Sequence, residues 1–195
     1  MSKTNFTKSL IASVLAITLT MPIAAGAYAM GEKTDSHTSE SSGADHSSEI
    51  GQPGKAADAT QTIKIGMRDN SFDPEKISVQ EGETVRFLIT NKGEFVHEFN
   101  ISTAALHASH QKEMMTMMED GILEADKINR KLMKMNRGGG ETMEHSDPNS
   151  TLLEPGESSE IVWTFSTDAD LEFACNVPGH YQSGMVGEIE MKHSS

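Results

Sequence analysis

Cys175-Asn-Val-Pro-Gly-His180-Tyr-Gln-Ser-Gly-Met185 is the stretch whose reading decides the fold. Cys175 is the only cysteine in 195 residues. A histidine follows five positions later, and a methionine five after that. Thiolate, imidazole and thioether on one short loop form the ligand set of a type 1 copper site, lacking one histidine. The bland alternative is a buried free cysteine with chance neighbours. The flanks argue against it. Leu171-Glu-Phe-Ala174 alternates into the cysteine as a strand does, and Val186-Gly-Glu-Ile-Glu-Met191 leaves the methionine in the same way. A loop between two strands holds its side chains close enough to share one metal.

The remaining ligand is sought among strand histidines. His97 lies in the apolar frame Phe95-Val-His-Glu-Phe99. It and His180 are the two histidines of the β-rich portion before the terminal tail. Alone, His97 would read as a core or edge histidine with a satisfied hydrogen bond. With Cys175, His180 and Met185 awaiting a partner, it reads as the fourth ligand.

The rest of the chain carries short strands punctuated by Gly, Pro and Asn. Thr62–Met67, Lys76–Val79, Thr84–Thr90, Phe95–Ile101 and Ser158–Phe165 fit this pattern, and Asn70-Ser-Phe-Asp-Pro74 reads as a turn with an anchoring aromatic. Such a chain predicts an all-β antiparallel sandwich or barrel of one domain.

At these residues the sequence resembles the cupredoxins, the type 1 blue-copper family that includes plastocyanin, azurin and rusticyanin. The resemblance covers Gln61–Ile101 and Thr151–Lys192. It rests on Phe95-Val-His-Glu-Phe, Cys175-Asn-Val-Pro-Gly-His180 and Gly184-Met-Val-Gly-Glu-Ile189. The chain is most similar to the periplasmic copper-tolerance members of the CopI type, which add histidine- and methionine-rich extras. The resemblance implies a Greek-key β-sandwich with copper at one end. It implies that His97, Cys175 and His180 form the trigonal plane, that Met185 is the weak axial ligand, and that the edge of His180 is the electron port. Glu98 departs from the family, where Asn commonly follows the first histidine and ties its strand to the cysteine loop. An ionised carboxylate offers no donor, so the tie is expected to be lost or taken over by a backbone N–H, and the colour of the site, blue or green, stays open.

Residues 1–29 read as a secretory leader. Lys3 and Lys8 precede an apolar run from Leu10 to Ala25, and Ala27-Tyr-Ala29 fits the cleavage pattern. The run is short of the ~20 residues a membrane span needs, so no stable membrane anchor is expected. A bacterial leader implies the periplasm, and an exported chain with one unpaired cysteine suits a metal ligand. Residues 30–60 read as a disordered tail carrying His37 and His46; from Gly31 to Thr60 they are polar, small and acidic, with almost no large apolar residue besides Ile50. Those histidines either capture copper weakly or are merely solvated. The cupredoxin domain is expected over 61–195.

The formal charge is −13. The leader carries two lysines and no acid, so the remainder is more acidic still. This argues against nucleic acid and anionic membranes as partners. The chain has 13 methionines, of which only Met1 and Met21 fall in the leader. Many of the others lie in 104–145, too long for a bare loop. Ala104–Met118 has helical composition and ends at Asp120-Gly121. Leu123–Arg137 reads as a second helix, stopped by Gly138-Gly-Gly140, with Met143 and His145 following. On the first, His107, His110, Met114 and Met117 share one face, with Met118 beside it. They form either a second copper site, since thioethers and imidazoles suit Cu(I), or an apolar face packed on the sandwich. Lys127, Arg130, Lys131, Lys134 and Arg137 line another face, either a dock for an acidic partner or a solvated surface. Four strand residues separate Ile101 from His97, about 13 Å at ~3.3 Å each, so the insertion must fold back to cover the copper end.

Two functions share this site. One is a periplasmic copper-tolerance protein that binds or oxidises surplus copper ions; the other is a one-electron carrier between redox partners. Either would meet a redox or copper-handling protein. An enzyme is not expected. Multicopper oxidases need more histidines, a binuclear oxidase-type centre needs a second cysteine, and no c-type haem motif is present.

Overall fold

The computed structural model describes residues 50–135, 147–165 and 169–192. The leader, residues 30–49 with His37 and His46, and Arg137, Gly138–Gly140, Met143 and His145 lie outside the described residues. Ten strands form two five-stranded sheets. The first contains β1 (Gln52–Pro53), β2 (Gln61–Arg68), β3 (Ser71–Asp73), β5 (Thr84–Asn91) and β8 (Ser158–Thr164), in the order β1-β8-β5-β2-β3. The second contains β4 (Lys76–Gln80), β6 (His97–Ser102), β7 (Ser150–Leu153), β9 (Glu172–Ala174) and β10 (Val186–Lys192), in the order β4-β10-β9-β6-β7. β2 runs parallel to β5 and β4 to β10; the other pairings are antiparallel. The expected all-β sandwich is the architecture found, with two of its strand pairings parallel where antiparallel ones were expected.

Alternation along the strands builds the core. β5 reads buried at Val85, Phe87 and Ile89, and β8 at Ile161 and Trp163. Phe72, Phe87, Phe99 and Phe173 meet ring to ring between the sheets, with centroids 5.0–6.1 Å apart. Such contacts stabilise by about 0.5–1.5 kcal/mol each beyond area burial. β6 breaks the alternation, because all six of its residues are buried. Phe99 and Ile101 join the core. Glu98, Asn100 and Ser102 point the other way and are polar, yet they too are shielded from water.

The shield is the insertion. Helix α1 (Ala104–Glu119) starts directly after β6, with the Thr103 hydroxyl accepting from the Leu106 N–H, and ends at Asp120 before Gly121, whose φ of +68° suits glycine. The helix expected over 123–137 is corrected. Among its described residues only Arg130–Met133, here α2, is helical, with Asn129 capping its first turn. Before it, Leu123 and Ile128 form a β-bridge, and the 124–128 turn is tied to the sandwich. The Ala125 carbonyl accepts from the Val96 N–H, and the Glu154 carboxylate accepts from the Ile128 N–H. Ile122, Leu123 and Ile128 are all buried, a spacing that no single helix face provides. Of the basic residues, Arg130 pairs with Glu157 at 2.6 Å.

The boundary at residue 61 also moves. Ile50 is 4% exposed, β1 pairs with β8, and the Trp163 indole N–H donates to the Ile50 carbonyl at 3.0 Å. Residues 50–60 therefore belong to the domain rather than to the tail. One apolar residue suffices to anchor a strap when the sheet offers it an edge and a buried indole donor. Ile50→Ala should lower stability to denaturant by about 2–5 kcal/mol; an unchanged urea midpoint would show that this strap does not pack.

Candidate metal centre

Two strands bring the ligands together. β6 begins at His97, and β9 ends one residue before Cys175. Their ladder pairs Asn100 with Ala174, so the strands part just where the side chains must converge. The cysteine loop closes on itself: the Cys175 N–H donates to the Met185 carbonyl at 3.1 Å, and the Met185 N–H donates to the His180 carbonyl at 3.0 Å. Gly179 and Gly184 take φ of +90° and +94° within it, conformations that glycine adopts without strain.

The donor atoms of His97, Cys175 and His180 all lie within 4.8 Å of one another. Cys175 Sγ is 3.4 Å from His180 Nδ1 and 3.9 Å from His97 Nδ1, and the two Nδ1 atoms are 3.2 Å apart. One ion with metal–nitrogen and metal–sulfur bonds of about 2.0–2.3 Å spans such separations. His97, Cys175 and Met185 are fully buried, and His180 alone of the four is partly exposed. A thiolate and two imidazoles, with a thioether at the neck of the same loop, suit copper in either oxidation state better than a hard cation.

Sequence reading missed Asp69. It sits in the turn between β2 and β3, and its Oδ1 lies 3.0 Å from His97 Nε2. This bond places the ring proton on Nε2 and turns Nδ1 toward the site. The Glu94 N–H donates to the same carboxylate at 3.0 Å. Gly93 is required here, because a Cβ would meet His97 Nε2 at 2.7 Å and run into the Asp69 carboxylate. Against its burial, the His97 bond and main-chain donors hold the Asp69 carboxyl below the usual range. No local sequence signal marks a turn aspartate as a histidine's partner; only the fold brings the two together.

Burial depresses both ligand imidazoles, so they are neutral and ready to bind at pH 7. Burial pushes the Cys175 thiol up to about 12, although the main-chain N–H groups of Glu98 and Val177 favour the thiolate.

Glu98 is the second feature that shapes the site. Its N–H donates to Cys175 Sγ at 3.3 Å, which is the backbone tie that the sequence left open. Its carboxylate is fully buried and accepts from the Asn176 main chain at 3.2 Å, the Asn176 side chain at 2.8 Å and the Ser150 hydroxyl at 2.7 Å. His110 of α1 reaches it with Nε2 at 2.9 Å, while His110 Nδ1 meets Glu113 at 3.0 Å. Burial alone would depress the His110 ring, but the Glu98 charge and bond, joined by Glu113, push it up to about 9. His107 is also buried, and its Nδ1 lies 3.1 Å from the Asn176 amide nitrogen. Its Nε2 has no partner of good geometry, and burial lowers the ring's pKa against the opposing pull of Glu172 and Glu98.

The five residues considered for a second copper site are thus divided. Both nitrogens of His110 face carboxylates, and His107 faces Asn176. Met114 and Met117 are buried in the hydrophobic core, as the packing alternative has it, and Met118 is 36% exposed. The expected folding back over the copper end is observed, since α1 reaches Glu98 and Asn176 and its Gln111 bonds Gln182 of the ligand loop at 2.7 Å.

The family model of the cupredoxin-like domain matches residues 44–129. A Pseudomonas aeruginosa protein described as copper-resistant cuproprotein CopI is 45% identical over 153 residues, covering 75% of this chain and 84% of that one. Proteins of the same description from Rubrivivax gelatinosus and Vibrio cholerae are 37% and 28% identical, covering 73% and 78% of this chain and the same shares of their own. Among solved structures, dithionite-reduced auracyanin from Roseiflexus castenholzii superposes with a TM-score of 0.50 at 20% identity, over 69% of this chain and 98% of its own. Auracyanin B gives 0.52 at 16%, over 73% and 96%. These two likenesses establish the fold.

Asp69→Ala should lower copper affinity about 10- to 100-fold while the thiolate-to-Cu(II) band persists; affinity equal to wild type would show that the carboxylate does not orient His97. Because the thiol is protonated and both imidazoles are neutral near pH 7, binding must expel one proton. Affinity should therefore rise about tenfold per pH unit between about pH 7 and 8.5, and a pH-independent affinity by competition titration would contradict the buried-thiol assignment.

Proposed function

Because the chain belongs to the cupredoxins of the CopI type, we propose that it holds copper at His97, Cys175, His180 and Met185 in the periplasm and serves copper tolerance, by sequestering the metal or by oxidising Cu(I). The observation that carries this reading is the convergence of one thiolate and two imidazoles in a chain 45% identical to a protein described as copper-resistant. Periplasmic placement rests on the leader over residues 1–29. Among the described residues no helix is long and apolar enough to cross a membrane.

Bound copper would supply a one-electron couple, and the protein supplies the surroundings. Cys175 gives up its proton and becomes the strong donor. Asp69 fixes the tautomer of His97. The closed loop and the Glu98 N–H hold the sulfur in place, so little has to move between oxidation states. His180, the ligand with an exposed edge, would be the route by which an electron leaves toward an external one-electron acceptor. No organic substrate is needed, so the protein is a binding and redox protein rather than an enzyme of that kind.

One observation favours the second reading, a one-electron carrier. A groove of about 590 Å³, lined by Ala108, Gln111, Lys112, Met115, Pro178, Gly179 and Gln182, runs between α1 and the His180 loop. Its largely apolar wall and exposed Met115 suit transient docking of a redox protein at the electron port.

A deletion strain complemented with wild type or with Cys175→Ser decides between them. Copper tolerance restored by wild type alone, with normal respiration, supports the tolerance reading; a respiratory defect at low copper without copper sensitivity would replace it with the carrier. Purified Cys175→Ser should lack the intense visible Cu(II) band, and a surviving band would remove Cys175 from the site. An anaerobic Cu(I) titration should give one equivalent per chain if the buried Met114 and Met117 only pack; two or more, lost on changing Met114, Met117 and Met118, would mean that the insertion binds copper as well.

A further inference from the structure

Outside the ligand set, buried polar and titratable side chains meet in the layer between α1 and the outer face of β6. Buried carboxylates are costly unless charge and hydrogen bonds compensate them. Glu98 is fully buried, adjoins the ligand His97, and carries on its own main chain the N–H that donates to Cys175 Sγ. Its two carboxylate oxygens are divided between the metal loop and the insertion. Oε2 takes the main-chain and side-chain N–H groups of Asn176, the residue after the ligand cysteine. Oε1 takes Ser150 of β7 and His110 of α1. His107, one turn before His110, meets the other side of the same Asn176 amide. Two histidines of one helix thus reach the Glu98–Asn176 pair that sets the position of the thiolate.

We infer that the insertion helix is a working part of the copper centre: His110, through its hydrogen bond to Glu98, is a positioning and tuning residue for the Cys175 thiolate, not a copper ligand. Glu98 holds the strand-to-loop tie, and the His110 ring donates to the carboxylate that makes it. Withdrawing that donor leaves the buried carboxylate less compensated beside the sulfur. A negative charge near the centre favours Cu(II) over Cu(I), because it is attracted more strongly to the higher metal charge. His107 keeps the Asn176 amide oriented so that its N–H groups stay on Glu98. The inference rests on the copper reading above and concerns residues that reading leaves out of the ligand set.

The test is a double-mutant cycle on the full mature chain with H110Q, E98Q and both, measured at pH 8. The readouts are the Cu(I)-to-Cu(II) affinity ratio, the position of the thiolate-to-Cu(II) band, and the unfolding midpoint of the copper-free protein. H110Q should lower the affinity ratio about tenfold, equivalent to about 59 mV for one electron, and should move the band. In the E98Q background the same change should shift the ratio less than threefold. A merely structural helix contact would lower the unfolding midpoint and leave ratio and band alone; that result, or an equal shift in both backgrounds, would overturn the inference. If H110Q does not fold, hydrogen exchange of the wild type takes its place. Copper loading should slow exchange of the α1 amides around residues 107–110, and equal rates with and without copper would overturn it. A wild type with no thiolate band would instead sink the copper reading itself.

Discussion

The copper end depends on one hydrogen bond, from the Glu98 main chain to Cys175 Sγ. The β6–β9 ladder stops at Asn100 and Ala174, and one step further the strands must part to bring His97, Cys175 and His180 to one point. Parting leaves main-chain donors without ladder partners, which is expensive in a buried place. The Glu98 N–H goes to the sulfur and the Asn176 N–H to the Glu98 carboxylate. The same two bonds that satisfy the broken ladder also fix the position of the thiol. The site is therefore a controlled end of a sheet, and its rigidity comes from backbone accounting rather than from the metal alone.

What the sequence disclosed followed from local chemistry. Alternation marked β2, β4, β5, β8 and β10, and the lone cysteine with its evenly spaced histidine and methionine marked the loop. His97 could be found because it was the one strand histidine left to complete the set. What stayed hidden was long-range. The strand β3 is three residues long and reads as a turn, and β1 is two residues pinned by Trp163, more than a hundred positions away. The helix expected over 123–137 had the right composition. Its apolar residues are nevertheless used at Ile122, Leu123 and Ile128, where burial on the sandwich outweighs helical propensity. Asp69 is silent in sequence because a turn carboxylate ordinarily caps its own turn.

Glu98 is the most instructive residue. Its type argued that the tie between the histidine strand and the cysteine loop was either lost or taken over by a backbone N–H, and the second is found. The structure keeps the tie and reverses its polarity: where an amide side chain could donate, the carboxylate accepts, and Asn176 supplies the donors. The reversal needs a buried anion, and the anion needs a cation nearby. His110 stands there, on a helix that the sequence connected with copper for a different reason, its share of histidine and methionine.

Residue type and burial together separate the two halves of that helix. Met114 and Met117, one turn apart, are buried in the hydrophobic cluster, a place a flexible thioether fills well. His107 and His110, one turn apart on the same side, cannot be fillers, because an imidazole placed in that layer must find partners, and both find them in the Glu98–Asn176 pair. A sandwich that exposed Glu98 to water would have no need of the insertion to support its copper loop. With Glu98 at that position and sealed from solvent, the anion and the helix that shields it depend on each other, and the polar, fully buried outer face of β6 is the physical trace of that dependence.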